Sequence, residues 1–78
     1  MKYTVLIEKG PTNFGAYVPD LPGCIAVADT REEVIALIQE GIVYYLEEMH
    51  NTGQSISEPS TTALVMEVES PAAVSASA

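Results

Sequence analysis

Val34, Ile38, Ile42, Tyr45 and Met49 recur at the spacing of one helix face, and no other stretch of the chain repeats that period. Ile35, Leu46 and Leu37 widen the stripe. A lone amphipathic helix has no second helix to lie on, so its apolar face must be buried against a sheet. The start of the helix is marked by Thr30 and Glu33, which have capping-box spacing, and by Glu32 and Glu33 at the positive end of the helix dipole. The pattern predicts a helix from Arg31 to Met49 or His50, ending at Asn51-Thr52-Gly53.

The strands the helix needs are visible on either side. Lys2–Glu8, KYTVLIE, is rich in β-branched and aromatic residues and stops before Gly10-Pro11. Tyr3, Val5 and Ile7 share one face; Lys2, Thr4, Leu6 and Glu8 share the other. Phe14–Val18 forms a second strand, with Gly15 a position for a bulge or a close backbone contact. Pro19-Asp20-Leu21-Pro22-Gly23 is a rigid turn in which Gly23 is free to take positive φ. Cys24–Ala28 is a third strand, and Ala63–Glu69, ALVMEVE, a fourth. Short connections make the first three an antiparallel meander, and the helix is a crossover to a parallel fourth strand. The expected fold is α+β, in the order β-β-β-α-β, with the helix on one sheet face. The other face stays partly apolar, which calls for a partner or for dimerisation. Residues 1–69 form the domain, and Ser70–Ala78, rich in Ala and Ser, reads as a disordered tail.

A chain of 78 residues is one small domain that buries only about 60% of its unfolded surface, so self-association into a dimer or tetramer would stabilise it. Eleven acidic residues face three basic ones, for a formal charge of −8. That field repels phosphate backbones and anionic membranes and suits a basic protein partner. The single cysteine, Cys24, opens an apolar run and reads as a buried, inert thiol in a reducing cytoplasm. The N-terminus lacks the pattern of a signal peptide, and no run approaches the roughly 20 apolar residues of a membrane span.

Catalytic chemistry finds little support. Gly10, Gly15 and Gly23 lack phosphate-loop spacing, no metal-ligand set is apparent, and no cofactor motif occurs. His50 falls at a helix end, where it favours the dipole. Glu8, Glu40 and Glu67 lie on elements that in a nuclease could share metal ions. Yet Glu32, Glu33, Glu40, Glu47 and Glu48 have the pattern of a solvated helix face. Asp20 is either a turn former bonding its own backbone or a ligand contact. Tyr3, Tyr17 and Tyr45 suit strand and core packing, whereas Tyr44 stands beside the stripe. The candidate partner-binding residues are therefore Asp20, Glu40, Tyr44, Glu47 and Glu48.

The run from Ala16 to Glu33, with Y-V-P-D-L-P-G-C followed by D-T-R-E-E, resembles the HicB-like antitoxin family. YTVLIEK at the start and Ile56-Ser57-Glu58-Pro59 before the last strand support the resemblance, which covers about Met1 to Val68. It implies a trimmed ribonuclease H-like unit without metal-binding acids. It further implies that the chain binds and inhibits a small basic mRNA-cleaving toxin of the HicA type. Many family members add a C-terminal DNA-binding segment. After Val68 this sequence has neither a helix pattern nor a basic patch, so no direct nucleic-acid contact is expected. Two other readings stand beside this one: a self-associating domain of unassigned role, and a residual metal-dependent nuclease.

Overall fold

The computed structural model describes residues 1–71. Three strands, β1 (Leu6–Lys9), β2 (Phe14–Tyr17) and β3 (Ile25–Ala28), precede one helix, α1 (Arg31–Asn51). The strands form an antiparallel sheet in the order β1-β2-β3. The α+β class, the meander and the single helix on one sheet face match the expectation.

Register explains which face is buried. Ile7, Ala16 and Ala26 line up across the sheet, as do Lys9, Phe14 and Ala28. This is the face under the helix, where Ala16 meets the buried Val34 and Ile38. Leu6, Tyr17 and Ile25 form the corresponding row on the opposite face, with Val27 beside them. Ile25 and Val27 are exposed there, so this face is uncovered and apolar, as the sequence implied. Pairing runs unbroken from Phe14 to Tyr17, so Gly15 marks no bulge.

The first strand is shorter and later than the expected Lys2–Glu8. β2 supplies only four partners to β1; beyond Tyr17, Val18 bonds on the β3 side, its amide to the Cys24 carbonyl at 3.2 Å. Residues before Leu6 therefore have no antiparallel neighbour. The Pro19–Gly23 turn is more than a connection. Its Leu21 is fully buried, its amide bonds Val18 O at 3.0 Å, and the Cys24 amide bonds Leu21 O at 3.0 Å. Gly23 takes φ 86°, a conformation costly for any residue with a Cβ.

The helix begins and ends as its sequence dictates. The Thr30 hydroxyl accepts the Glu33 amide at 3.1 Å, which is the hydroxyl half of the capping box. At the other end Gly53, with φ 76°, donates to His50 O, and Gln54 donates to Met49 O at 2.9 Å. Those two bonds are the Schellman arrangement, and they satisfy carbonyls the helix leaves open. Val34 and Ile38 are buried, with Ile42, Tyr45 and Leu46 packed beside them. Leu37 departs from the expected stripe. It lies roughly 100° around the helix from Ile38 and is exposed.

Cys24 is buried, and burial raises its thiol pKa, in keeping with an inert packing role. It faces Gly41: a methyl added there would lie 3.7 Å from the Cys24 sulfur. No helix among the described residues is long and apolar enough to cross a membrane.

The expected parallel fourth strand has no counterpart in this sheet. Residues 63–69 carry no strand pairing, and Leu64, Val65, Met66 and Val68 are 67–97% exposed. The helix lies over β3 and β2 and makes no close approach to β1, so the place beside β1 is open. Of the expected tail, residues 72–78 lie outside the described residues.

Candidate functional site

The return segment after the helix is fastened to the front of the sheet, and Asp20 does the fastening. Its Oδ2 accepts the Ser60 and Thr61 amides, both at 2.9 Å. Its Oδ1 accepts the Ser60 hydroxyl at 3.1 Å and the Thr61 hydroxyl at 2.7 Å. Four donors occupy the roughly four acceptor positions of a carboxylate. They favour the charged form and pull the Asp20 pKa down to about 2, led by the Ser60 amide. Asp20 thus makes none of these hydrogen bonds within its own turn. It clips together two segments 40 residues apart.

Two residues ahead of β1 complete the clip. The Tyr3 hydroxyl donates to Ser57 O, and the Thr4 hydroxyl donates to Thr61 O. Burial, then the nearby charges of Glu58 and Asp20, hold the Tyr3 hydroxyl above its usual pKa. Tyr3 is thereby explained as packing.

The other four candidates share one surface. Glu40, Tyr44, Glu47 and Glu48 are spaced i, i+4, i+7 and i+8, so they lie along one side of the helix. Glu40, Tyr44 and Glu47 point away from the buried Ile38, whereas Glu48 lies nearer the edge of the buried stripe. All four are exposed, with Tyr44 at 65%. The Tyr44 hydroxyl reaches Glu48 Oε2 at 3.4 Å, a long bond that leans the ring along the helix. A shallow groove brings Glu40 and Glu47 together with Val43, Tyr44 and Ala36. The arrangement is an aromatic and aliphatic centre edged by carboxylates. Val43 and Ala36 are parts of it that sequence reasoning passed over. The signal was there: both fall within the same helical sector as Glu33, Glu40 and Glu47.

The three carboxylates considered for metal chemistry are not brought together. Glu8 belongs to the outward sheet row, Glu40 to the outward helix face and Glu67 to the exposed segment. Among the described residues no three His, Cys, Asp or Glu side chains gather closely enough to hold a metal ion.

An acidic, non-convergent surface on a clipped sheet-and-helix unit agrees with the comparisons. Residues 3–74 match the model of the HicB-like antitoxins of bacterial toxin-antitoxin systems. The chain belongs to the HicB-like antitoxin family. It is 33% identical over 76 residues to Antitoxin HicB 2 of Photorhabdus laumondii, an alignment that takes in 97% of this chain and 54% of that protein. The chain thus spans about half the length of that antitoxin. It is also 37% identical over 57 residues to the UPF0150 protein Ta0767 of Thermoplasma acidophilum, covering 72% of this chain and 83% of that protein. An uncharacterised 14.9 kDa protein of Haemophilus phage HP1 is 37% identical over 49 residues, 63% of this chain and 37% of its own. No solved structure gives a significant match.

Proposed function

We propose that this HicB-like chain is a protein-binding antitoxin that holds and inhibits a small basic mRNA-cleaving toxin of the HicA type, with no catalysis of its own. The observation that carries this reading is the outward helix face. Glu40 and Glu47 border Tyr44 and Val43, with Glu48 one turn on from Tyr44, on a surface that nothing among the described residues covers. Interfaces favour an aromatic anchor with charge at the rim, and opposite charge on the partner speeds and orients encounter. A net charge of −8 acts in the same direction over a longer range. A basic face built to grip RNA would be masked by such a strip.

In this reading the working unit is residues 1–69, acting in the cytoplasm without metal, cofactor or direct nucleic-acid contact. The three-stranded meander and its helix represent the ribonuclease H-like unit that the family resemblance implies, with residues 63–69 as its fourth strand. The reading includes self-association, favoured by the uncovered row of Leu6, Tyr17, Ile25 and Val27. Asp20 stays inside the unit as a clip, leaving Glu40, Tyr44, Glu47 and Glu48 to meet the toxin.

Calorimetric titration of the chain with a HicA-type toxin from the same genome tests the reading. The expected result is saturable binding that weakens roughly tenfold or more between about 0.05 and 0.5 M salt, since exposed charges are screened within a Debye length. Absence of binding at low salt would overturn it.

A further inference from the structure

We infer that the C-terminal end of the helix carries a pocket for an organic cation, an alkylammonium or guanidinium group, held by Tyr44 and Tyr45 and paired with Glu48. The site stands apart from the toxin reading. It shares Tyr44 and Glu48 with the outward helix face but needs no toxin to be occupied.

Tyr44, Tyr45, Glu48, Met49 and Thr52 are spaced i, i+1, i+4, i+5 and i+8, so they line one side of the last turns of the helix. The chain then reverses. Gly53 takes φ 76°, and the Gln54 amide donates to Met49 O at 2.9 Å, which brings Gln54 back beside the helix. These five side chains and Gln54 bound a depression of about 290 Å³. Sites for drug-sized ligands run from roughly 300 to 1,000 Å³, so this one suits the end of a molecule.

The two rings are held differently. Tyr45 is half-buried and packs against the core, which fixes its position. Tyr44 is 65% exposed, and its hydroxyl lies 3.4 Å from Glu48 Oε2. One phenol thus belongs to the wall, and the other stands with the carboxylate on the solvent side.

The lining selects positive charge. It holds two aromatic rings, a polarisable thioether and one carboxylate, with no basic side chain. His50, the basic residue of the last turn, lies about 160° around the helix from Glu48. Tyrosine faces attract cations, and the helix C-terminus adds partial negative charge. The nearby carbonyls are already bonded. Glu48 O accepts the Thr52 amide at 3.0 Å and its hydroxyl at 2.9 Å, and His50 O accepts the Gly53 amide at 3.2 Å. Recognition therefore falls to the side chains.

Other ligand classes fit poorly. An anion meets Glu48 and a chain of formal charge −8. A hard divalent cation takes about six oxygen ligands or keeps several waters, and among the described residues no three His, Cys, Asp or Glu side chains gather. A neutral apolar group would desolvate Glu48 without pairing it. An ammonium or guanidinium group pairs with Glu48 and lays its alkyl or planar part on the rings. A free polyamine carries that chemistry, and so does a lysine or arginine side chain of another protein.

Nuclear magnetic resonance of the full chain tests the site. The chain is titrated at constant ionic strength with spermidine and, separately, with N-acetyl-arginine amide. The expected result is saturable shifts of the Tyr44, Tyr45 and Gln54 signals, half-complete below about 10 mM with at least one probe. Tighter binding of spermidine assigns the site to a free polyamine, and tighter binding of the blocked arginine assigns it to a protein side chain. Tyr44→Leu/Glu48→Gln is expected to weaken binding by about tenfold or more. Glu32→Gln removes the same charge from another side of the helix and should leave binding unchanged. The absence of saturable shifts with both probes overturns the inference. Equal weakening in Glu32→Gln also overturns it, because the binding would then be a general response to an acidic surface. These titrations contain no toxin, so either outcome is separate from the antitoxin reading.

Discussion

Thr61 gives both its amide and its hydroxyl to Asp20, at 2.9 and 2.7 Å, across 41 positions of sequence. The contact decides where the chain goes after the helix. It binds the Pro19–Gly23 turn, which carries the fully buried Leu21, to the segment that leads toward residues 62–69. The clip therefore joins the core to the part of the chain that remains unpaired.

That clip is pH-dependent, and its sign follows from the carboxylate. Asp20 titrates at about 2 in the folded chain, below its ordinary 3.8. Folding thus favours the charged form, and the stability it contributes is full above 3.8 and lost as pH falls through about 2. Thermal unfolding of Asp20→Asn beside the parent, from neutral pH downward, should show the variant less stable at neutral pH. The gap should close as pH falls below 3.8. A gap that does not change with pH would show that the charge is not what holds Ser60 and Thr61.

Leu21 is expected to be the most expensive turn residue to truncate. It has no exposed surface and packs within the small core of Ala16, Val18, Cys24, Val34 and Ile38. Leu21→Ala should cost about 2–5 kcal/mol, a large part of the stability of any small domain. Urea unfolding followed by circular dichroism measures it, and a cost below about 1 kcal/mol would place the turn outside the cooperative core.

Gly41 offers the opposite outcome. A glycine inside a helix costs about 1 kcal/mol relative to alanine. The added methyl would rest 3.7 Å from the Cys24 sulfur, an ordinary packing distance. Gly41→Ala should therefore stabilise the chain by about 0.5–1 kcal/mol in the same urea experiment. Destabilisation would mean that the helix sits closer to β3 than this spacing.

Much of this was legible in the sequence because it is local. Thr30, Glu33 and Gly53 announce the ends of the helix within a turn of where they act, and the 3.6-residue stripe names its buried face. The three short strands follow from apolar runs between Gly and Pro. What sequence reasoning missed is long-range. Nothing near Asp20 says that its donors are Ser60 and Thr61, and nothing in KYTVLIE says that β2 ends too early to pair with its first half. Leu37 was drawn into the stripe because it is apolar, though its angle around the helix places it with the exposed residues. Residues 63–69 read as a strand, but in the structure they carry no strand pairing. The parallel pairing expected for them is not made, although the edge of β1 is open.

The helix strip is what the functional reading stands on, so it should be tested where it would act. A ribonuclease assay with a HicA-type toxin, titrated with the parent chain and with Glu40→Lys/Tyr44→Ala/Glu47→Lys, addresses it directly. These residues are exposed and far from the core, so the variant should fold with unchanged circular dichroism. The account predicts that the parent abolishes RNA cleavage near equimolar ratio and that the variant needs at least about tenfold more protein, the effect of losing an aromatic anchor and two complementary charges. Undiminished cleavage with the parent, or equal inhibition by the variant, would contradict it.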